Sequence, residues 1–175
     1  SGPQVRGNMN NSFAGLQASV LFALKVLVDP DGPTNHGMLE PVHIKAPEGS
    51  VVNASFPAAT AARAQTCQRI IDVILGALAE AVPERVIAAC NGANGVATFS
   101  GIGPDGKYYL YMETIGGGAG GRSYKDGSDG IQVHVTNTSN LPVEALENEY
   151  PLLVDRYELI EGSGGAGKWR GGLGL

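Results

Sequence analysis

The side chains with the clearest chemical potential lie between Gly116 and Thr138. Arg122 carries a permanent, planar positive fork suited to phosphate or carboxylate. His134 can change charge near neutral pH, and Asn137 follows it three residues later. Seven of the fifteen residues from 116 to 130 are glycine. Glycine loses more entropy on ordering than any other residue. A run this dense marks either a flexible segment or a backbone passing close to something that a side chain would block. The apolar stretch before it, the alternating stretch after it and the charges of both signs inside it favour an ordered loop at a working surface. Gly118, Gly120, Gly121 and Asp126 are expected to bind substrate there, successive amides turning toward an acceptor as in an anion-binding nest. Arg122 is expected to face that anion. His134 and Asn137 would donate hydrogen bonds or move a proton from the neighbouring strand.

Plainer readings stand beside these. Arg122 can pair with Asp126 or Asp129 and only pin the loop. His134 can be a solvated or hydrogen-bonded strand histidine, because a metal site needs several converging ligands and no second one sits at short spacing. No metal ligands are assigned from spacing. Glu144, Glu147 and Glu149 suit a solvated helix face, and Cys67 lies on an apolar stripe that suits a core. Gly162 to Lys168 has the GxxxxGK spacing of a phosphate loop. The next residue is Trp169 where a Mg²⁺-holding hydroxyl is required, and Arg170-Gly171-Gly172 cannot open a helix. Gly116, Gly118 and Gly121 satisfy GxGxxG, but Asp126-Gly127 and Asp129-Gly130 break any following helix.

The elements that must position these residues are legible in part. Phe13, Leu16, Val20, Leu24 and Leu27 step by three and four, predicting a helix over 12–28 with Ser12 as its N-cap. Cys67, Ile70, Ile71, Ile74, Leu75, Leu78 and Val82 form one stripe of a second helix, ended by Pro83. Residues 96–102 and 107–114 read as a hairpin turning at Gly103-Pro104-Asp105-Gly106. Alternation over 131–136 predicts a half-buried strand. Weaker strand signals fall at 39–45, 86–89 and 152–160, and a short acidic helix at 142–150. The expected fold is α+β: two buried helices packed on a mixed or antiparallel sheet, with a glycine-rich functional loop.

The 175 residues suit a single segment. A formal charge of −5 without a basic cluster argues against nucleic acid as a partner, and no apolar run has membrane-spanning length. Cys67 and Cys90 stand alone, which fits a reducing cytoplasm and suggests neither zinc nor a disulfide framework. The polar start without methionine and the glycine-rich end suggest a piece of a longer polypeptide.

Several phrases together resemble the B-type component of the hydantoinase/oxoprolinase family. They are Arg6-Gly7-Asn8-Met9-Asn10, Pro57-Ala58-Ala59, Thr66-Cys67-Gln68-Arg69-Ile70-Ile71-Asp72, Gly116 to Arg122 with Asp126-Gly127, and His134-Val135-Thr136-Asn137-Thr138. Pro142 to Glu147, Tyr150-Pro151 and Ser163 to Gly172 continue the series in family order. The chain departs from the pattern at Ala61 to Ala64, where Gly-Gly is common, and at Gly121-Arg122, where Gly-Ala-Arg is common.

The resemblance implies the middle-to-C-terminal part of a B-type subunit of an ATP-dependent cyclic amide hydrolase, of the N-methylhydantoin or 5-oxoproline type. It implies an A-type partner that binds ATP and phosphorylates the substrate's carbonyl oxygen, and hence a hetero-oligomer. The family's divalent-metal motifs belong to an N-terminal region with no counterpart here, so the segment alone is expected to be inactive. An activated phosphorylated substrate, or the acid product, would be the anion at Arg122. The corresponding subunit of an acetone- or acetophenone-type carboxylase is an alternative. So is a structural or interface module without catalytic residues.

Overall fold

The computed structural model describes all 175 residues. Helix α1 spans Phe13–Val28, and the Ser12 side chain accepts the Gly15 amide at 3.2 Å, as the N-cap reading requires. Arg85 Nη1 donates to the Leu27 carbonyl at 2.8 Å, so a cation sits on the helix's negative end. Helix α2 spans Arg63–Ala77. It stops short of Pro83 because exposed Gly76 weakens its last turn and the chain continues as tight turns, with Val82 N bonded to Leu78 O. The two helices pack on each other. Ala23 and Leu27 of α1 meet Ile71 and Leu75 of α2, with Val86 from the following segment. Ala23 and Ile71 are wholly excluded from solvent. Full burial of one such aliphatic chain stabilises by about 1.5–3 kcal/mol.

Strands β1 (Gly95–Ile102) and β2 (Tyr108–Ile115) form an antiparallel hairpin in which Phe99 faces Tyr111 and Thr98 faces Met112. Its two faces divide as the alternation requires. Tyr111 is buried and meets Tyr150 with ring centroids 4.9 Å apart, whereas Leu110 and Met112 face outward. Burial pushes the Tyr111 hydroxyl up to about 12, helped by its hydrogen bond to the Glu113 carboxylate. Helix α3 spans Val143–Glu149 behind Pro142. No helix is long and apolar enough to cross a membrane.

The chain is mixed α and β, but the layering differs from the expected one. Helices α1 and α2 pair with each other and do not lie on the hairpin. The sheet has two strands and no more. Residues 39–45 follow a 3₁₀ turn (His36–Leu39) instead of forming a strand. Ile87 makes an isolated bridge to Arg122, and residues 152–160 form no strand. Where these runs meet other backbone they do so through single contacts, Ala88 N to Gly121 O and Ile160 N to Gly174 O, too few to make a ladder.

The glycine loop is sandwiched by the chain's own backbone. The Gly118 amide donates to Ile131 O and the Ala119 amide to Ser128 O on one side, while Gly172 N donates to Ala119 O from the tail. On the far side Ala88 N donates to Gly121 O at 2.8 Å. A Cβ at Gly120 would collide with the Ala88 carbonyl, and Gly118 holds φ at +83° with Gly172 pressed against it. The close approach that excludes side chains is therefore made by polypeptide, three segments thick.

Candidate functional site

The site is organised by a polar stripe on α2. Gln65, Gln68 and Asp72 are spaced i, i+3 and i+7, one face of a helix. Gln65 clasps the Asn94 backbone at both ends, accepting its amide at 3.0 Å and donating to its carbonyl at 2.9 Å. Gln68, fully buried, donates from Nε2 to Asn94 Oδ1 at 2.5 Å, and Val133 O and Thr136 Oγ1 lie 3.1 and 3.2 Å from the same nitrogen. These contacts fasten two loops, 90–94 and 133–136, against the helix.

Asp72 receives the third and most chemically active residue. His134 Nε2 lies 2.9 Å from Asp72 Oδ1, with the two side chains 4% and 7% exposed. Cys90 Sγ lies 3.5 Å from Asp72 Oδ2. Burial, with the neighbouring carboxylate's charge, pushes the Cys90 thiol up, against a lowering from the Gly92 amide. Arg69 Nη1, on a largely exposed side chain, stands 3.7 Å from Asp72 Oδ2. Phe22 of α1 meets the imidazole edge-on, with ring centroids 5.9 Å apart.

The expected strand at 131–136 is absent, and the reason is local. His134 and Val135 hold φ at +44° and +38°, left-handed values costly for non-glycine residues and most of all for β-branched valine. This kink lets consecutive residues Val133 and His134 both turn inward and be buried, which a strand's alternation forbids.

Arg122 and His134 come together on one cavity of about 310 Å³, whose walls include Phe22, Leu75, Ile87 and Tyr124. Arg122 does not pair with Asp126 or Asp129. Its Nη1 reaches only the Tyr124 hydroxyl, at 3.4 Å, and that contact draws the phenol below its ordinary range. Both aspartates belong to Arg170 instead. Asp129 takes a bidentate pair at 2.8 and 3.1 Å and the Leu173 amide at 2.7 Å, and Asp126 takes the Arg170 amide at 2.9 Å. Asp126 therefore fastens the tail to the loop. Gly118, Gly120 and Gly121 are buried in the backbone sandwich, and the amides of Gly118 and Ala119 are already bonded. Asn137 is exposed and lines a separate polar pocket with Gln132 and Asn140. Lys168 rests over the Trp169 ring, 5.9 Å from its centroid, and no helix follows it.

Asp72 and Cys90 were missed by reading spacing along the chain, because 62 residues separate Asp72 from His134 and 18 separate it from Cys90. The available signal was the helix itself: Gln65, Gln68 and Asp72 are polar residues on one side of a helix otherwise destined for the core.

Comparison with known proteins agrees over the whole length. The model of the family described as hydantoinase B/oxoprolinase matches residues 1–175. An uncharacterised protein of Methanocaldococcus jannaschii is 46% identical over 173 residues, 98% of this chain and 30% of the relative. The B-type subunit of a putative D-/L-hydantoinase from a Pseudomonas strain is 42% identical over 142 residues, 81% of this chain and 24% of the relative. The crystal structure of the ATP-dependent caprolactamase of Pseudomonas jessenii superposes with a TM-score of 0.73 at 28% identity, covering 99% of this chain and 31% of that one. The chain thus spans less than a third of the length of each.

Proposed function

The chain belongs to the hydantoinase B/oxoprolinase family, and from that premise we propose that it serves an ATP-dependent hydrolase of cyclic amides, of the N-methylhydantoin or 5-oxoproline type. In this reading it is part of a B-type subunit that receives a substrate activated by an A-type partner. One observation carries the proposal: Arg122, free of any carboxylate, and His134, fixed by buried Asp72, line the same small cavity. A volume of about 310 Å³ suits a small ring and its substituent.

A ring amide is a poor electrophile. Phosphate on its carbonyl oxygen makes the carbon attackable: water adds there, the ring C–N bond breaks with the nitrogen leaving protonated, and hydrolysis of the resulting acyl phosphate gives the acid and inorganic phosphate. Water attack then requires that a proton be removed and that charge on the phosphate oxygens be held. Arg122 meets the second need as a fixed fork for phosphate. His134 meets the first. Its Nε2–H donates to Asp72, leaving Nδ1, which no group in the chain engages, to take the proton while the carboxylate stabilises the imidazolium. Phe22 and Leu75 give the cavity an apolar wall. ATP is used by the partner. The divalent metal implied by the resemblance belongs to a region without counterpart among these residues and enters no step here.

The test is ring opening by the full-length chain reconstituted with its A-type partner, across a panel of hydantoins, 5-oxoproline and larger lactams, with and without ATP. ATP-dependent release of the amino acid from at least one ring supports the reading. Failure on every ring, together with bicarbonate-dependent carboxylation of a ketone, overturns it in favour of the carboxylase.

A further inference from the structure

We propose that Asp72, Cys90 and His134 form a binding site for a divalent ion of the zinc class. Their ligand atoms, a carboxylate oxygen, a thiol sulfur and an imidazole nitrogen, all lie within 4.8 Å of one another. They come from three separate parts of the chain: helix α2, the loop after Ile87 and the kinked segment after Val133. Such a set is the mixed nitrogen, oxygen and sulfur shell that zinc prefers, and three protein ligands leave a fourth position for water or substrate.

The geometry is close to what an ion needs. Tetrahedral binding at ordinary zinc distances separates ligand atoms by roughly 3.3–3.6 Å. Cys90 Sγ and Asp72 Oδ2 already stand at 3.5 Å. The 2.9 Å contact of His134 is to the other oxygen, Oδ1, so binding through a single oxygen needs the carboxylate to turn and that contact to open by a few tenths of an ångström. The charges also balance. Loss of the thiol proton on binding gives one thiolate and one carboxylate, which neutralise a dication, while Arg69 at 3.7 Å remains on the solvent side of Asp72.

The backbone gives an independent reason to regard the arrangement as selected. Two adjacent non-glycine residues, His134 and Val135, hold left-handed conformations, and the result is to aim the imidazole at Asp72. Strain of this kind persists where the surroundings over-determine it, and it concentrates at functional sites. A hydrogen-bonded histidine on a surface loop would not require it.

The inference replaces one role assigned above, that of His134 Nδ1 as proton acceptor, and leaves the cavity and Arg122 as they are. With an ion on Nε2, the imidazole would present Nδ1–H to the cavity as a hydrogen-bond donor instead of taking up a proton there. Turnover tests the one and metal spectroscopy the other.

The experiment is titration of the chelator-treated full-length chain with Co²⁺, followed by absorption. Only a thiolate ligand gives an intense near-ultraviolet charge-transfer band, so any cobalt held by oxygen and nitrogen elsewhere stays silent in that region. The expected result is a saturable thiolate band, displaced by Zn²⁺, absent in Cys90→Ser and retained in Cys67→Ser. Asp72→Asn should weaken cobalt binding on the order of tenfold or more. No thiolate band in the wild-type chain overturns the proposal without recourse to any variant. So does a band that survives in Cys90→Ser.

Discussion

His134 Nε2 lies 2.9 Å from Asp72 Oδ1, across 62 residues of sequence, and both side chains are almost fully buried. The pair links the core to the cavity. Asp72 stands one residue after Ile71, which has no solvent exposure, while His134 lines the space that Arg122 also faces. The helix that builds the hydrophobic centre therefore also fixes the imidazole's direction.

Replacing Asp72 by Asn keeps the shape but removes the charge that holds the imidazole. In the complete enzyme turnover is expected to fall on the order of a hundredfold, the usual scale of general acid–base assistance. Stability should fall by about 1.5–3 kcal/mol, the scale of a buried hydrogen bond to a charged group. Steady-state kinetics and urea unfolding on the same preparation check both. Unchanged turnover would remove Asp72 from the site.

The glycine loop gives a steric prediction. Gly120→Ala places a methyl group against the Ala88 carbonyl, whereas a methyl at Gly165 meets nothing within 4 Å. The first substitution should cost about 1–3 kcal/mol, as overpacking does, and the second should be near neutral. Thermal melting of the two variants side by side is sufficient. Equal melting temperatures would mean that the backbone sandwich has room to spare.

Helix α1, its Ser12 cap, the hairpin and α3 were legible because each rests on local rules of period, cap and turn. The strand over 131–136 was not, since its alternation is real but His134 and Val135 leave the extended region to satisfy Gln68 and Asp72 on a distant helix. Arg122 and His134 could be read as candidates from residue type. Their meeting on one cavity could not, because it depends on how α1 and α2 pack. Gly118, Gly120, Gly121 and Asp126 suit, by residue type, an ordered loop whose amides face an anion. In the fold those glycines admit neighbouring backbone, and Asp126 belongs to the partner set of Arg170.

Asp129 predicts an acid limit to stability. Its hydrogen bonds from Arg170 first, and from the Leu173 amide, hold its carboxyl at about 2 against an ordinary value of 3.8. A depressed folded value means that the stabilisation is fully present above the unfolded value and is lost as pH falls through the folded one. The loss should run from about pH 4 down to about pH 2. Asp129→Asn should melt lower than wild type at neutral pH and converge on it in acid. A constant difference across that range would contradict the assignment.

Lys168 should not bind nucleotide, despite its GxxxxGK setting. It rests on Trp169, and the following residues form no helix whose amides meet a phosphate. Calorimetry of the full-length chain with Mg·ATP should give the same result for Lys168→Ala as for wild type. Tight binding that disappears in the variant would restore the phosphate-loop reading.

The central claim is that Arg122 and His134 act on substrate and do not merely hold the loop. The most direct measurement is turnover of Arg122→Ala and His134→Ala in the full-length chain reconstituted with the proposed A-type partner, with melting temperature taken on the same samples. The account predicts that each variant loses turnover by about two to four orders of magnitude, and that Arg122→Ala melts within a few degrees of wild type because it breaks no ion pair. Near-normal turnover in both, or activity that falls only in step with melting temperature, would contradict it and leave this stretch as scaffold.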